Sequence, residues 1–159
     1  MNQSLFPVIE GLVWREVKDG NDDARELFDR HYSRHCYADG RKPKLFCGPG
    51  EKMVLMTPCG LALFAWRKFI SGDGQQGVNC AIFRNESHLR SSTLIVEACK
   101  IARERWGNTR FYTYVNPRKV ASANPGYCFK MAGWHKCGIT KHNKLLILEL
   151  VPHQEPKPE

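Results

Sequence analysis

Val78-Asn-Cys-Ala-Ile-Phe-Arg84, then residues 85–92, then Thr93-Leu-Ile-Val-Glu-Ala-Cys-Lys-Ile-Ala-Arg-Glu-Arg-Trp106: the reading of this run decides the fold. Its first seven residues are a strand by apolar content and length. Leu94, Ile95, Ala98, Ile101, Ala102 and Trp106 then recur at helical spacing. Glu97, Lys100, Arg103 and Glu104 lie off that stripe, and Gly107 is placed to stop the helix. Ser91 or Ser92 is the natural N-cap. Strand, small-residue turn and helix in this order present backbone N–H groups at a helix N-terminus, where a phosphate can bind, with Arg84 and Arg90 nearby in sequence. The same features also describe a capped helix with no ligand.

Downstream, Phe111-Tyr-Thr-Tyr-Val115 is a strand by its aromatic and β-branched content. In Asn124-Pro-Gly-Tyr-Cys-Phe-Lys-Met-Ala-Gly-Trp134, Asn124 as cap and Pro125 at the first helical position predict a short helix ending at Gly133. Residues 134–140 and 145–151 read as two further strands around a turn at 141–144, and 153–159 as a disordered tail. Upstream, residues 11–18 predict a first strand whose inward face is Leu12 and Trp14, or Val13 and Val17, according to register. Residues 19–22 supply a turn and an N-cap. A helix follows from Asp22 to about Ser33, with Ala24, Leu27, Phe28 and His31 on one face. Residues 52–56 and 61–69, joined by Thr57-Pro-Cys-Gly60, predict a hairpin, and with Val78 onward they form a meander of three antiparallel strands.

A chain of 159 residues, 42% hydrophobic, suits one domain, here residues 1–151 with a tail from 152. Lys and Arg number 24 against 16 Asp and Glu, and the formal charge of +8 favours acidic partners such as nucleic acid or nucleotides. No secretory signal and no apolar run of roughly 18 residues is visible, so an intracellular, cytoplasmic protein without a membrane partner is expected. Seven cysteines at irregular spacing, without a C-x-x-C pair, point to reduced core residues rather than disulfides or a zinc site. Dinucleotide fingerprint, Walker loop and nucleophile elbow are all missing from the sequence.

Two stretches carry further chemistry. His31-Tyr-Ser-Arg-His35 gathers titratable groups at the end of the first helix; His31 or Tyr32 is a candidate proton carrier or substrate contact, and a half-buried helix end is the plain alternative. The Gly- and Pro-rich loop between Tyr37 and Glu51 sets Arg41, Lys42 and Lys44 beside Tyr37 and Phe46, a composition for phosphate contact with stacking rings or for a solvated surface.

Element order, the long helix after the fourth strand, and Phe129-x-x-x-Gly133-Trp134 after the fifth resemble the GCN5-related N-acetyltransferase superfamily, over residues 13–151. The resemblance implies an α+β fold with a mostly antiparallel sheet of about seven strands. In it the fourth and fifth strands splay around an acyl-CoA cleft, with the pyrophosphate on the helix that begins near Ser92. Arg90-Ser-Ser92 stands where the superfamily has its Gly-rich pyrophosphate loop, and Phe129 stands where it has the Tyr that protonates the departing thiolate, with Tyr127 close by. His31-Tyr32, the basic linker, and Tyr-x-x-Asn-Pro…Gly-x-x-Phe-x-x-Ala-Gly-Trp are more narrowly similar to the Mom-type proteins of phages and prophages. Those proteins modify adenine in phage DNA and so protect it from restriction.

These resemblances imply acetyl-CoA as co-substrate and double-stranded DNA as partner. The pantetheine would lie along Cys80, Ala81, Ile82 and Phe83, and the pyrophosphate against Arg84, Arg90, Ser91 and Ser92, with Phe129 also in the cofactor site. Asn116 and Tyr127 would face the reacting end, with His31 and Tyr32 on the base. Tyr37, Arg41, Lys42, Lys44, Arg118 and Lys119 would hold DNA. No metal is required, iron at His31, Tyr32 and Tyr127 being a lesser variant. An acetyltransferase for protein lysine or a small amine, and a non-catalytic DNA-binding or inhibitory module, are the other functions compatible with this pattern.

Overall fold

The computed structural model describes residues 13–31, 38–39, 44–120 and 123–152. Ten elements follow in the expected order: β1 (Arg15–Val17), α1 (Asp22–Asp29), β2 (Glu51–Met56), β3 (Ala62–Lys68), β4 (Val78–Asn85), α2 (Ser91–Trp106), β5 (Phe111–Val115), α3 (Tyr127–Met131), β6 (His135–Ile139) and β7 (Leu146–Leu150). They build an α+β domain on one seven-stranded sheet in the order β1-β2-β3-β4-β5-β7-β6. Every neighbouring pair is antiparallel except β4 and β5, which run parallel. A parallel pair needs a crossover, and α2 supplies it.

Both faces of the sheet carry apolar clusters. On one, α2 and α3 cover Trp14, Phe64, Trp66, Phe111 and Trp134, with α2 contributing Leu94, Ile95, Ala98 and Ala102. Two indoles fasten the helix down: Trp14 Nε1 donates to the Leu94 carbonyl at 2.8 Å and Trp66 Nε1 to the Ala98 carbonyl at 3.2 Å. On the other face, Ala24 and Leu27 of α1 pack with Val54, Met56, Leu63, Ala65 and Ile82. The chain at β1 therefore serves both layers, Trp14 just before the strand turning toward α2 and Val17 within it toward α1. Phe46 stacks on Phe28 at 5.0 Å within the α1 layer, and the Phe46 and Cys47 amides donate to the Asp19 carboxylate.

Three helix boundaries differ from expectation, each for a local reason. In α1, Asn21 caps the Asp23 and Ala24 amides as expected, but the helix closes at Asp29. There Arg30 and His31 donate to carbonyls three residues back, the tighter winding that ends a helix. In α2 the cap position falls to Arg90, with no side-chain hydrogen bond, because Ser91 is already helical and its Oγ takes the Asn85 amide at 3.0 Å. Pro125 lies outside α3, whose N-cap is Gly126 at φ 78°. That left-handed backbone favours glycine, and a Cβ there would also press on the end of the Leu148 side chain. Gly107 ends α2 as expected, its N–H bonded to the Arg103 carbonyl.

Of the described cysteines none is in a disulfide; Cys47, Cys80 and Cys99 are buried, Cys128 is half-buried, and Cys59 and Cys137 are exposed. Among the described residues, no helix is long and apolar enough to cross a membrane. The expected tail at 153–159 lies outside the described residues.

Candidate functional site at the parting of two strands

The parallel ladder between β4 and β5 is short. Val78 pairs with Phe111, Asn79 with Tyr112 and Cys80 with Thr113, and no later residue of either strand continues it. At its base Val78 N donates to the Arg110 carbonyl at 2.9 Å. Gly77 allows this approach, since a Cβ at its φ of 115° would collide with that same carbonyl oxygen. At the far end the Thr113 hydroxyl bonds to the Cys80 carbonyl at 2.9 Å, a side chain standing in for the next backbone rung. One residue on, the β3–β4 register slips. Ala65 faces Ile82 and Trp66 faces Cys80, so Ala81 is an extra, bulged residue. Bulges of this kind bend a strand and re-aim its amides.

A cavity of about 150 Å³ occupies the parting, lined by His31, Cys80, Ala81, Phe83, Thr113, Tyr114, Val115, Val120, Gly126, Cys128 and Phe129. It receives side chains from both layers, His31 from the end of α1 and Cys128 and Phe129 from α3. Phe129 also meets Phe83 and Trp134 edge-on at 5.9 and 4.9 Å, which holds its ring in place as part of the core.

Electrostatics set the protonation states here. Burial, reinforced by the charge of Arg84, pushes His31 down to about 4, against a raising hydrogen bond at the Phe83 backbone. His31 is therefore a neutral imidazole at pH 7, able to accept a proton. Burial raises the Cys80 and Cys128 thiols, so neither is a ready nucleophile. The Arg84 guanidinium joins α1 to β4: Nε meets the Glu86 carboxylate at 2.6 Å, and a terminal nitrogen donates to the Arg30 carbonyl at 2.9 Å. Arg30 binds the same carboxylate at 2.8 Å, and the two guanidinium groups hold Glu86 below its ordinary range.

The turn into α2 is organised by Asn85. Its amide donates to the Leu89 carbonyl at 2.7 Å and to Ser91 Oγ, while its oxygen accepts from the Ser87 amide at 2.9 Å. The first turn of α2 thus begins without a side-chain cap, beside exposed Arg90. Uncapped amides at a helix start are donors for an anion.

Comparison with known proteins finds no family model and no curated protein that matches this chain.

The site brings together some sequence-predicted residues and leaves others apart. Cys80, Ala81, Phe83, Phe129 and His31 line the cavity; Ile82 instead packs into the α1 layer. Arg84, Arg90, Ser91 and Ser92 lie on the β4–α2 connection or at its two ends. Tyr127 is 54% exposed and does not line the cavity. Asn116 lies just past β5, where its Oδ1 accepts from the Arg118 amide at 3.1 Å. Lys44, Arg118 and Lys119 are exposed, and Tyr32, Tyr37, Arg41 and Lys42 lie outside the described residues. Among the described residues no three His, Cys, Asp or Glu converge as a metal would need. Sequence reading missed Thr113, Tyr114, Val115, Val120, Gly126 and Cys128 of the lining, and Asn85 at the turn. Only Asn85 carried a signal, the Asn-x-Ser pattern of a side-chain-stabilised turn after a strand.

Proposed function

We propose that the protein transfers an acyl or other CoA-derived group to an amine, the exocyclic N6 of adenine in DNA, as a member of the acetyltransferase superfamily close to the Mom type. The observation that carries this reading is the parting of β4 and β5 after Cys80 and Thr113, with a cavity in the gap and an uncapped helix start on the strand that borders it. Such a gap leaves strand amides near Ala81 unpaired with β5 and available to an amide-bearing chain such as pantetheine. The α2 amides and Arg90 suit a diphosphate. The cavity volume suits a thioester end, not a whole nucleotide. Arg84 is engaged with Glu86 and Arg30, so it would contribute charge rather than a free fork of donors.

Acetyl-CoA would bring the activated acyl group. The protein's part is to place the amine beside it and take the amine's proton. His31 is the cavity side chain placed for that; it is unprotonated at the pH of the reaction, and its depressed value makes it a weak base whose contribution rests on position. A base in duplex DNA would have to leave the stack to reach it. Tyr127 remains the proposed acid for the thiolate, and its side chain would have to turn inward from the exposed position it holds.

Two measurements test the reading. Titration calorimetry with acetyl-CoA is expected to show saturable binding; absence of heat removes the transferase and leaves a nucleic-acid-binding module. Mass spectrometry of nucleosides from DNA made in cells expressing the protein is expected to reveal an adenine derivative, and unmodified adenine would defeat the choice of substrate. Tyr127→Phe should lower turnover at unchanged acetyl-CoA affinity; unchanged turnover takes Tyr127 out of the chemistry.

A further inference from the structure

The positive charge of this chain is not spread along it. Between Glu104 and Glu149 there are eight Lys and Arg and no acidic residue, a surplus equal to the whole formal charge of +8, so the remainder of the chain is balanced. Two of the eight are neutralised, Arg105 by Glu16 and Arg110 by Glu149. Among the described residues the other six form no ion pair.

The fold concentrates four of them. Val115 of β5 pairs with Leu146, which also pairs with Ile139, so the end of β5 and the β6–β7 turn lie at the same edge of the sheet. Across that edge a terminal nitrogen of Arg118 donates to the Asn143 carbonyl at 2.7 Å, tying the segment after β5 to the turn. The turn is ordered: Asn143 and Lys144 take positive φ of 61° and 52°, and Thr140 and Leu145 close it with hydrogen bonds of 2.9 Å. Arg118, Lys119, Lys141 and Lys144 are all exposed there. Arg118 and Lys119 sit between Val115 and Val120, both of which line the cavity.

We infer that Arg118, Lys119, Lys141 and Lys144 form a docking rim for the phosphodiester backbone of nucleic acid at the mouth of the cavity. Cations that form no ion pair among the described residues, carried on tied loops beside the cavity, match a line of phosphates. The choice of polyanion rests on the DNA-directed reading above, while the rim itself does not depend on acyl transfer.

The test is fluorescence anisotropy with a labelled DNA duplex of two helical turns, without acetyl-CoA, over a range of salt. Wild type is compared with a rim triple, Lys119→Ala, Lys141→Ala and Lys144→Ala, and with a control triple of equal charge change, Lys18→Ala, Lys68→Ala and Lys100→Ala. Losing three phosphate contacts should weaken binding at least about tenfold and flatten the log–log salt slope by roughly 2.7, while the control triple stays near wild type. Equal weakening by both triples would reduce the effect to net charge and overturn the rim. So would phosphatidylserine vesicles that bind through the rim lysines while the duplex does not. Duplex binding lost in the rim triple, with no calorimetric signal for acetyl-CoA, would keep the rim and discard the transferase. Acetyl-CoA binding without duplex binding would do the reverse.

Discussion

The hydroxyl of Thr113 donates to the carbonyl of Cys80 at the last point where β4 and β5 touch. Both residues are buried, so the bond replaces a rung that water cannot supply. Thr113→Val keeps the shape and strands the carbonyl. It should cost about 1–2 kcal/mol in denaturant unfolding at unchanged m-value, with Thr113→Ser close to wild type.

The depressed His31 makes stability pH-dependent in a defined direction. Its folded value, about 4, lies below the ordinary 6.5, so between these the unfolded chain binds a proton that the folded chain refuses. Its destabilising contribution is nil well above 6.5, grows as pH falls through that value, and is complete below about 4. Discounted for partial exposure, the loss is about 2 kcal/mol. His31→Gln should lack this component, visible as a smaller difference between unfolding free energies at pH 7 and pH 4.5. Equal differences in the two proteins would show that His31 is not shielded as described.

Gly77 has no room for a side chain. Gly77→Ala combines a positive φ with a clash against the Arg110 carbonyl. It should destabilise by about 3 kcal/mol or more, read as a lowered thermal midpoint. Gly74→Ala, whose Cβ would meet nothing within 4 Å despite a φ of 79°, should cost only about 1 kcal/mol.

A row of polar residues crosses the face opposite α2, with Arg67 beside Asn79, Asn79 beside Tyr112 and Tyr112 beside Glu149 on successive strands. Arg67 Nε, Asn79 Oδ1 and the Tyr112 hydroxyl are buried without hydrogen-bond partners. Ser71 approaches the phenol without completing a bond, and burial raises the phenol above its ordinary value. Tyr112→Phe removes one of these orphans at almost no change of volume. It should leave stability unchanged or raise it by about 1 kcal/mol in a thermal melt, and a marked loss would mean that the hydroxyl has a bonded partner in solution.

Much of the architecture was legible because it rests on local pattern. The α2 stripe from Leu94 to Trp106, the β5 pentad and the three-strand meander each declare their period within a few residues. What could not be read depends on contacts between distant segments. Ala81 becomes a bulge only because Ala65 and Trp66 pair with Ile82 and Cys80. Pro125 is a good first helical residue, yet the helix opens only after Gly126, in a left-handed turn packed against Leu148. Ser91 looks like a cap until Asn85 claims its hydroxyl. In the site, residue type and position single out His31, whereas its neutral state comes from burial and from the charge of Arg84, on a strand fifty residues away in sequence. Thr113 gave no signal, since a threonine in a strand is ordinary.

The cavity between β4 and β5 is lined from two layers of the molecule. A substitution at the end of α1 or in α3 therefore reaches the same space, so the cavity couples the packing of the two layers.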